Sequence, residues 1–149
     1  MTLTEQVSAD LKAAMKSGDR RKLETLRMLR AQLVDLDKRG TGKAVTPDDE
    51  LGALMGAIKQ RREAVELYDK GGRADLAENE KQEIAILNAY LPAPMSADEA
   101  SDRIGRIIAE TGASSVKDLG KVMGVAMKEL KGRIDGKIVQ DLVRKKLGG

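Results

Sequence analysis

The sequence contains no cysteine and no histidine. Together these absences exclude disulfides, thiol nucleophiles, Cys/His zinc sites and imidazole acid–base chemistry. Any metal would have to be held by carboxylates alone. Phenylalanine and tryptophan are also missing, and the aromatic rings are those of Tyr68 and Tyr90. A chain so poor in aromatics lacks the platforms on which single-strand binders stack bases. Its core must come from Leu, Ile, Val, Met and Ala, the material of packed helices. No apolar run approaches the roughly 20 residues of a membrane span. Residues 1–20 carry Glu5, Asp10, Lys12 and Lys16 where a secretory leader would be apolar. We therefore expect a cytoplasmic protein with no membrane partner, no metal and no cofactor.

Charge is abundant but unevenly spread. The net charge is +3 over 149 residues. Residues 1–94 hold 16 Lys/Arg and 16 Asp/Glu, whereas from Lys117 onward there are 9 against 4. A basic excess confined to the last third points to a polyanionic partner.

Helix punctuation is dense and local. Thr2 with Glu5 forms a capping-box pattern, and Leu3, Val7, Leu11 and Met15 follow at helical spacing. Ser17–Asp19 breaks this helix, and Asp19 can cap a second one with Leu23, Leu26, Leu29, Leu33 and Leu36 inward. The loop RGTGKAVTP ends in Thr46 as N-cap and Pro47 at the first helical position, ahead of Asp48, Asp49 and Glu50. A long third helix carries Leu51, Leu54, Met55, Ile58, Val65 and Tyr68 and stops at Lys70–Gly72. A fourth, with Leu76, Ile84, Leu87 and Leu91, reaches about Tyr90. Pro92 and Pro94 forbid a continuous helix. Ser96 and Glu99 then form another capping-box pattern. A fifth helix with Ala100, Ile104, Ile107 and Ile108 ends at Gly112. A sixth runs roughly from Val116 to Lys131 with Gly132 as its C-cap, and Asp135 opens a seventh reaching Leu147. The expected fold is all-α: a four-helix N-terminal unit (1–92), a proline hinge and a three-helix C-terminal domain (95–149).

On the sixth helix, a wheel places Leu119, Val122, Met123, Ala126, Met127 and Leu130 on one side. Lys117, Lys121, Gly124, Lys128 and Lys131 fall on the other, with Gly120 at the margin. A lysine stripe alone is an ordinary solvated face. Gly124 inside it is not ordinary, because glycine in a helix costs about 1 kcal/mol against alanine and profits only from close approach. A phosphate backbone fits lysine neighbours; a helix–helix contact of the Gly120/Gly124 type is the other option. GALMG, with Gly52 and Gly56, has the same spacing without adjacent lysines, and there helix packing is the expectation. In KGRIDGK (131–137), Gly132, Arg133, Gly136 and Lys137 surround a helix start, where free N–H groups attract anions; Arg144 follows on the same helix.

Several apparent motifs dissolve on inspection. Ser114–Lys117 matches S-x-x-K, but Ser115 as an N-cap accounts for it. GKVMG lacks the spacing and preceding strand of a phosphate loop. KQRRE (59–63) reads as a small basic patch on the third helix. No nucleophile, base and orienting group occur together, so no catalytic residue is assigned.

The segments LRMLRAQL (26–33), KQRREAVELYDKGGRADLAENEKQEIAILNAYLP (59–92) and DLGKVMGVAMKELKGRIDGKIVQDLVRKKL (118–147) resemble the GatB/YqeY-domain family, in its stand-alone YqeY-like branch. The resemblance implies kinship with the tail domain of GatB in the glutamine-dependent aspartyl/glutamyl-tRNA amidotransferase, a tRNA-recognition module outside the catalytic cradle. A label of carbon–nitrogen ligase activity with glutamine as amido-N-donor describes that complex. It implies tRNA contact at Lys121, Gly124, Lys131, Gly132, Arg133, Gly136 and Lys137, which stand in the matching motifs. Three functions follow as expectations: a non-catalytic module binding tRNA or other structured RNA, an accessory subunit of an amidotransferase or partner of tRNA-processing proteins, and a helical protein-interaction module using the N-terminal helices.

Overall fold

A computed structural model describes residues 1–40 and 42–148. Among these residues the chain is all-α, with seven helices and no strand: α1 (Leu3–Ser17), α2 (Arg20–Asp37), α3 (Pro47–Lys70), α4 (Ala74–Asn88), α5 (Ala97–Thr111), α6 (Leu119–Leu130) and α7 (Gly136–Lys146). A single 3₁₀ turn, Val116–Asp118, precedes α6. The chain divides into two compact units, Met1–Leu91 and Pro92–Gly149.

In the first unit the helix ends are closed as the local residues dictate. Thr2 and Glu5 make both halves of a capping box, Asp19 accepts from the Lys22 N–H, and Thr46 and Asp49 close α3 reciprocally. Gly18, at φ 77°, supplies the left-handed turn that ends α1. Val7, Leu26, Leu29, Leu33, Leu54, Ala57, Ile58 and Leu87 form the core. Met15 does not join it: the side chain is 57% exposed, and Ala14 is buried instead. Each i to i+4 step overshoots a full turn by about 40°, so a stripe begun at Leu3 has rotated out by its third step.

Three buried polar side chains, Thr25, Glu50 and Arg61, also lie in this unit. Glu50, read as a helix-start carboxylate of α3, reaches across to α1. Its Oε2 accepts from the Thr4 N–H at 2.9 Å and from Thr4 Oγ1 at 2.6 Å. Arg61 is not part of a surface patch. Its Nε donates to Glu83 of α4 at 3.3 Å, Nη1 to the Ala57 carbonyl at 3.0 Å and Nη2 to Met28 Sδ of α2 at 3.0 Å. Of the two GALMG glycines, Gly56 packs against no helix of this unit: it is exposed, and a Cβ there would meet nothing within 4 Å.

The second unit is simpler inside. Met95, Ala100, Ile104, Ile107, Val122, Ala126, Leu130, Val139, Val143 and Leu147 pack α5, α6 and α7 together. Ser96 accepts from the Glu99 N–H, the forward half of the expected capping box. A unit of this size has little core to spare, and an all-aliphatic one leaves its polar side chains at the surface.

Candidate nucleic-acid interface

The sixth helical segment begins differently from the expectation. Val116–Asp118 is a 3₁₀ turn, and regular α-helix starts at Leu119. Lys117 therefore stands outside the α-helical register that relates Lys121, Gly124 and Lys128. The turn is closed by side chains: Ser115 Oγ accepts from the Lys117 N–H at 3.3 Å, and Asp118 Oδ2 accepts from the Ser114 and Ser115 N–H groups at 2.9 and 3.4 Å. These two backbone donors hold the Asp118 carboxyl below its usual range. Ser115 is the cap of this turn.

Along α6, Val122, Ala126 and Leu130 are buried, while Gly120, Lys121, Gly124 and Lys128 line the other side. Val125, absent from the expected apolar face, packs against the core from its edge. At both Gly120 and Gly124 an added Cβ would have nothing within 4 Å. Within Pro92–Gly149 no described residue presses on either position, which removes the helix-contact explanation inside this unit. Gly124, an interior glycine that costs about 1 kcal/mol, thus lies bare on the lysine side, with Gly120 in the first turn beside it.

Several of the basic residues have structural duties. Lys121 Nζ donates to the Thr111 carbonyl at 3.1 Å, tying α6 to the end of α5. Arg133 Nε donates to the Ala93 carbonyl at 2.9 Å, and the Arg133 carbonyl accepts from the Met95 N–H at 2.8 Å. Arg133 thereby fastens residues 93–95 to the turn before α7. Lys131 also has an internal partner. Lys117, Lys128, Lys137 and Arg144 have no ion pair or side-chain hydrogen bond among the described residues. Their ammonium and guanidinium groups are free to meet an external anion. Lys145 and Lys146, unassigned from the sequence, extend the basic end of α7; the only signal for them was the charge count, and their place in the last turn also complements the helix dipole.

The KGRIDGK turn departs from its expected form. Lys131, at φ −55° and ψ 129°, ends α6, and Gly132 follows at φ 78°. With the Arg133 N–H donating to the Leu130 carbonyl at 3.0 Å, this is a type II turn, whose third residue requires positive φ. Gly132 is thus a turn residue rather than the C-cap. The anion seat expected at the start of α7 is already filled: Asp135 Oδ1 accepts the Lys137 N–H at 2.9 Å. A carboxylate there repels phosphate, so the helix start is the weaker part of the candidate surface. Gly136 lies 3.6 Å (by an added Cβ) from Met127 Cε, an ordinary contact that would accommodate alanine and that brings the start of α7 against α6.

The candidate surface thus consists of the ridge Lys121–Gly124–Lys128 with Gly120 beside it, flanked by Lys117 in the 3₁₀ turn. Lys137 and Arg144 add a second ridge on α7, two turns apart on one face. Among the described residues no group of three acidic side chains could hold a metal ion, and no helix is long and apolar enough to cross a membrane.

Comparison with known proteins matches residues 4–147 to the family described as Yqey-like protein. A relative from Pyrenophora tritici-repentis, named altered inheritance of mitochondria protein 41, mitochondrial, is 29% identical over 146 residues, covering 96% of this chain and 80% of that protein. An uncharacterized protein of Schizosaccharomyces pombe is 36% identical over 80 residues, covering 53% of this chain and 63% of that protein. The chain belongs to the YqeY-like family.

Proposed function

We propose that this member of the YqeY-like family is a non-catalytic module that binds structured RNA, most specifically tRNA, through the basic side of its C-terminal helices, in the cytoplasm. The observation that carries the proposal is Gly120 and Gly124: open, uncontacted, and set among lysines. Helix α6 would be more stable with alanine in place of Gly124, so the value of that glycine lies in what approaches from outside. A phosphate backbone can lie against a surface without side chains while ammonium groups on either side neutralise it. Scarce aromatics suit recognition of shape and phosphates rather than of bases.

The test is tRNA binding measured by fluorescence anisotropy across a salt series. With about five phosphates contacted, log affinity should fall against log salt with a slope of roughly −4. The informative variant is Lys117→Ala/Lys128→Ala/Lys137→Ala. It leaves Lys121 and Arg133 alone, because both hold backbone carbonyls of the fold. Loss of binding with unchanged helix content supports the proposal; unchanged affinity rejects it.

A second reading, accessory subunit of a glutamine-dependent carbon–nitrogen ligase, draws support from the same surface combined with the lack of a catalytic set. It requires co-purification with an amidase-type subunit and activity only in the mixture. Recovery of RNA without such a subunit counts against it.

A further inference from the structure

Arg61 is a buried guanidinium whose third partner is a thioether. Its side chain is 6% exposed. Of its five N–H donors, one meets Glu83, one the Ala57 carbonyl, and one Met28 Sδ at 3.0 Å. The Glu83 and Glu80 carboxyls offset its charge, but a thioether is a weak acceptor, so the N–H aimed at Met28 is under-satisfied. Met28 itself is 48% exposed. Its sulfur is thus held by a buried donor on one side while the side chain remains open to solutes.

We propose that Met28 is an oxidative modification site, at which a hydroperoxide converts the thioether to a sulfoxide whose oxygen is then held by Arg61. The free lone pair of Sδ attacks the distal peroxide oxygen, the O–O bond breaks, and rotation about Cγ–Sδ of the half-exposed side chain then turns the new oxygen to the Arg61 Nη2–H. The departing alkoxide (or hydroxide) takes the proton, giving an alcohol or water. Sulfur is oxidised by two electrons and the peroxide is reduced by two. Sulfoxidation ordinarily disrupts packing by making an apolar side chain polar. Here it replaces a poor acceptor with a strong one beside a cation that still has two N–H groups without a partner among the described residues. The modified α2 is therefore held more tightly to α3. Met15 is the internal control: it is 57% exposed and no donor among the described residues reaches its sulfur, so its oxidation brings no compensating bond.

The experiment uses the full chain carrying Met15→Leu, treated with dilute hydrogen peroxide, with sulfoxide located by peptide mass. Amide exchange is then followed by mass spectrometry over α2 and α3. The expected result is sulfoxide at Met28 and exchange in those helices slowed about tenfold, reversed by a methionine sulfoxide reductase. The same treatment of Met15→Leu/Met28→Leu, which keeps an apolar side chain of similar size, should leave exchange unchanged. Faster or unaltered exchange in the Met28-oxidised protein overturns the proposal, as does a Met28 that stays unmodified while Met15 of the parent chain is oxidised.

Discussion

The two units place their charges to opposite ends. In Met1–Leu91 positive and negative charges balance, and the important ones are turned inward: Glu50 holds the start of α1, and Arg61 ties three helices together. In Pro92–Gly149 the core is aliphatic throughout, and no polar or charged side chain of its described residues is buried. Of its cations, Lys121 and Arg133 clasp backbone carbonyls at the rim, Arg103 pairs with Glu129 at 3.6 Å, and Lys128 and Lys137 stand unpaired among the described residues. Helical units of similar material can thus commit ionic groups to cohesion or keep them available for a partner.

The sharpest way to break this comparison is Arg61→Ala. It strands Glu83 and should destabilise the first unit by about 3 kcal/mol, read as faster amide exchange in α2–α4 with α5–α7 unchanged. Equal loss in both units would show that the division of roles is wrong. Glu50→Ala comes next, at about 2 kcal/mol for two charge-assisted bonds. Glu50→Gln, which keeps an acceptor, should recover part of it in urea unfolding.

In the second unit, two glycines eight residues apart should respond with opposite sign. Gly132→Ala forces positive φ on a residue with a Cβ and should cost about 1 kcal/mol. Gly124→Ala should stabilise by about 1 kcal/mol and at the same time weaken tRNA binding. A stabilised variant with full affinity would remove the reason for the bare ridge.

The smallest effects concern pH. Asp49 accepts hydrogen bonds from Thr46 and Arg39, which lower its pKa from 3.8 to about 2. The stabilisation from this cap is complete above the unfolded value and is lost as pH falls from about 4 through 2. Asp118 is shifted in the same direction, so both units should fray under acid. Alkali should separate them. Burial, and then the hydrogen bond to Asp10, raise the Tyr90 hydroxyl well above its usual 10.0. The unfolded chain ionises first, so stability held below pH 10 declines above it, in the first unit alone. Tyr90→Phe should remove that alkaline decline when helix signal is followed between pH 9 and 11.

What is legible in the sequence is local. The caps at Thr2, Asp19, Thr46, Ser96 and Ser115 each depend on residues two or three positions away, and the family kinship rests on contiguous motifs. What escapes is contact across distance: Glu50 with Thr4 is separated by 46 positions, Arg133 with Ala93 by 40 and Arg61 with Met28 by 33. A charged side chain carries no mark of whether it will face water or a partner many turns away. In the sequence Arg61 and Arg133 therefore look like surface cations, and only packing assigns them their posts. The candidate site is legible as a set of lysines and glycines; which of them are already engaged is not.

The bonds from Arg133 to Ala93 and Met95 also set where the C-terminal helices may be cut away for separate study. A fragment beginning at Ser96 would discard both of the groups that Arg133 grips, along with Met95 from the core. One beginning at Pro92 keeps its own strap.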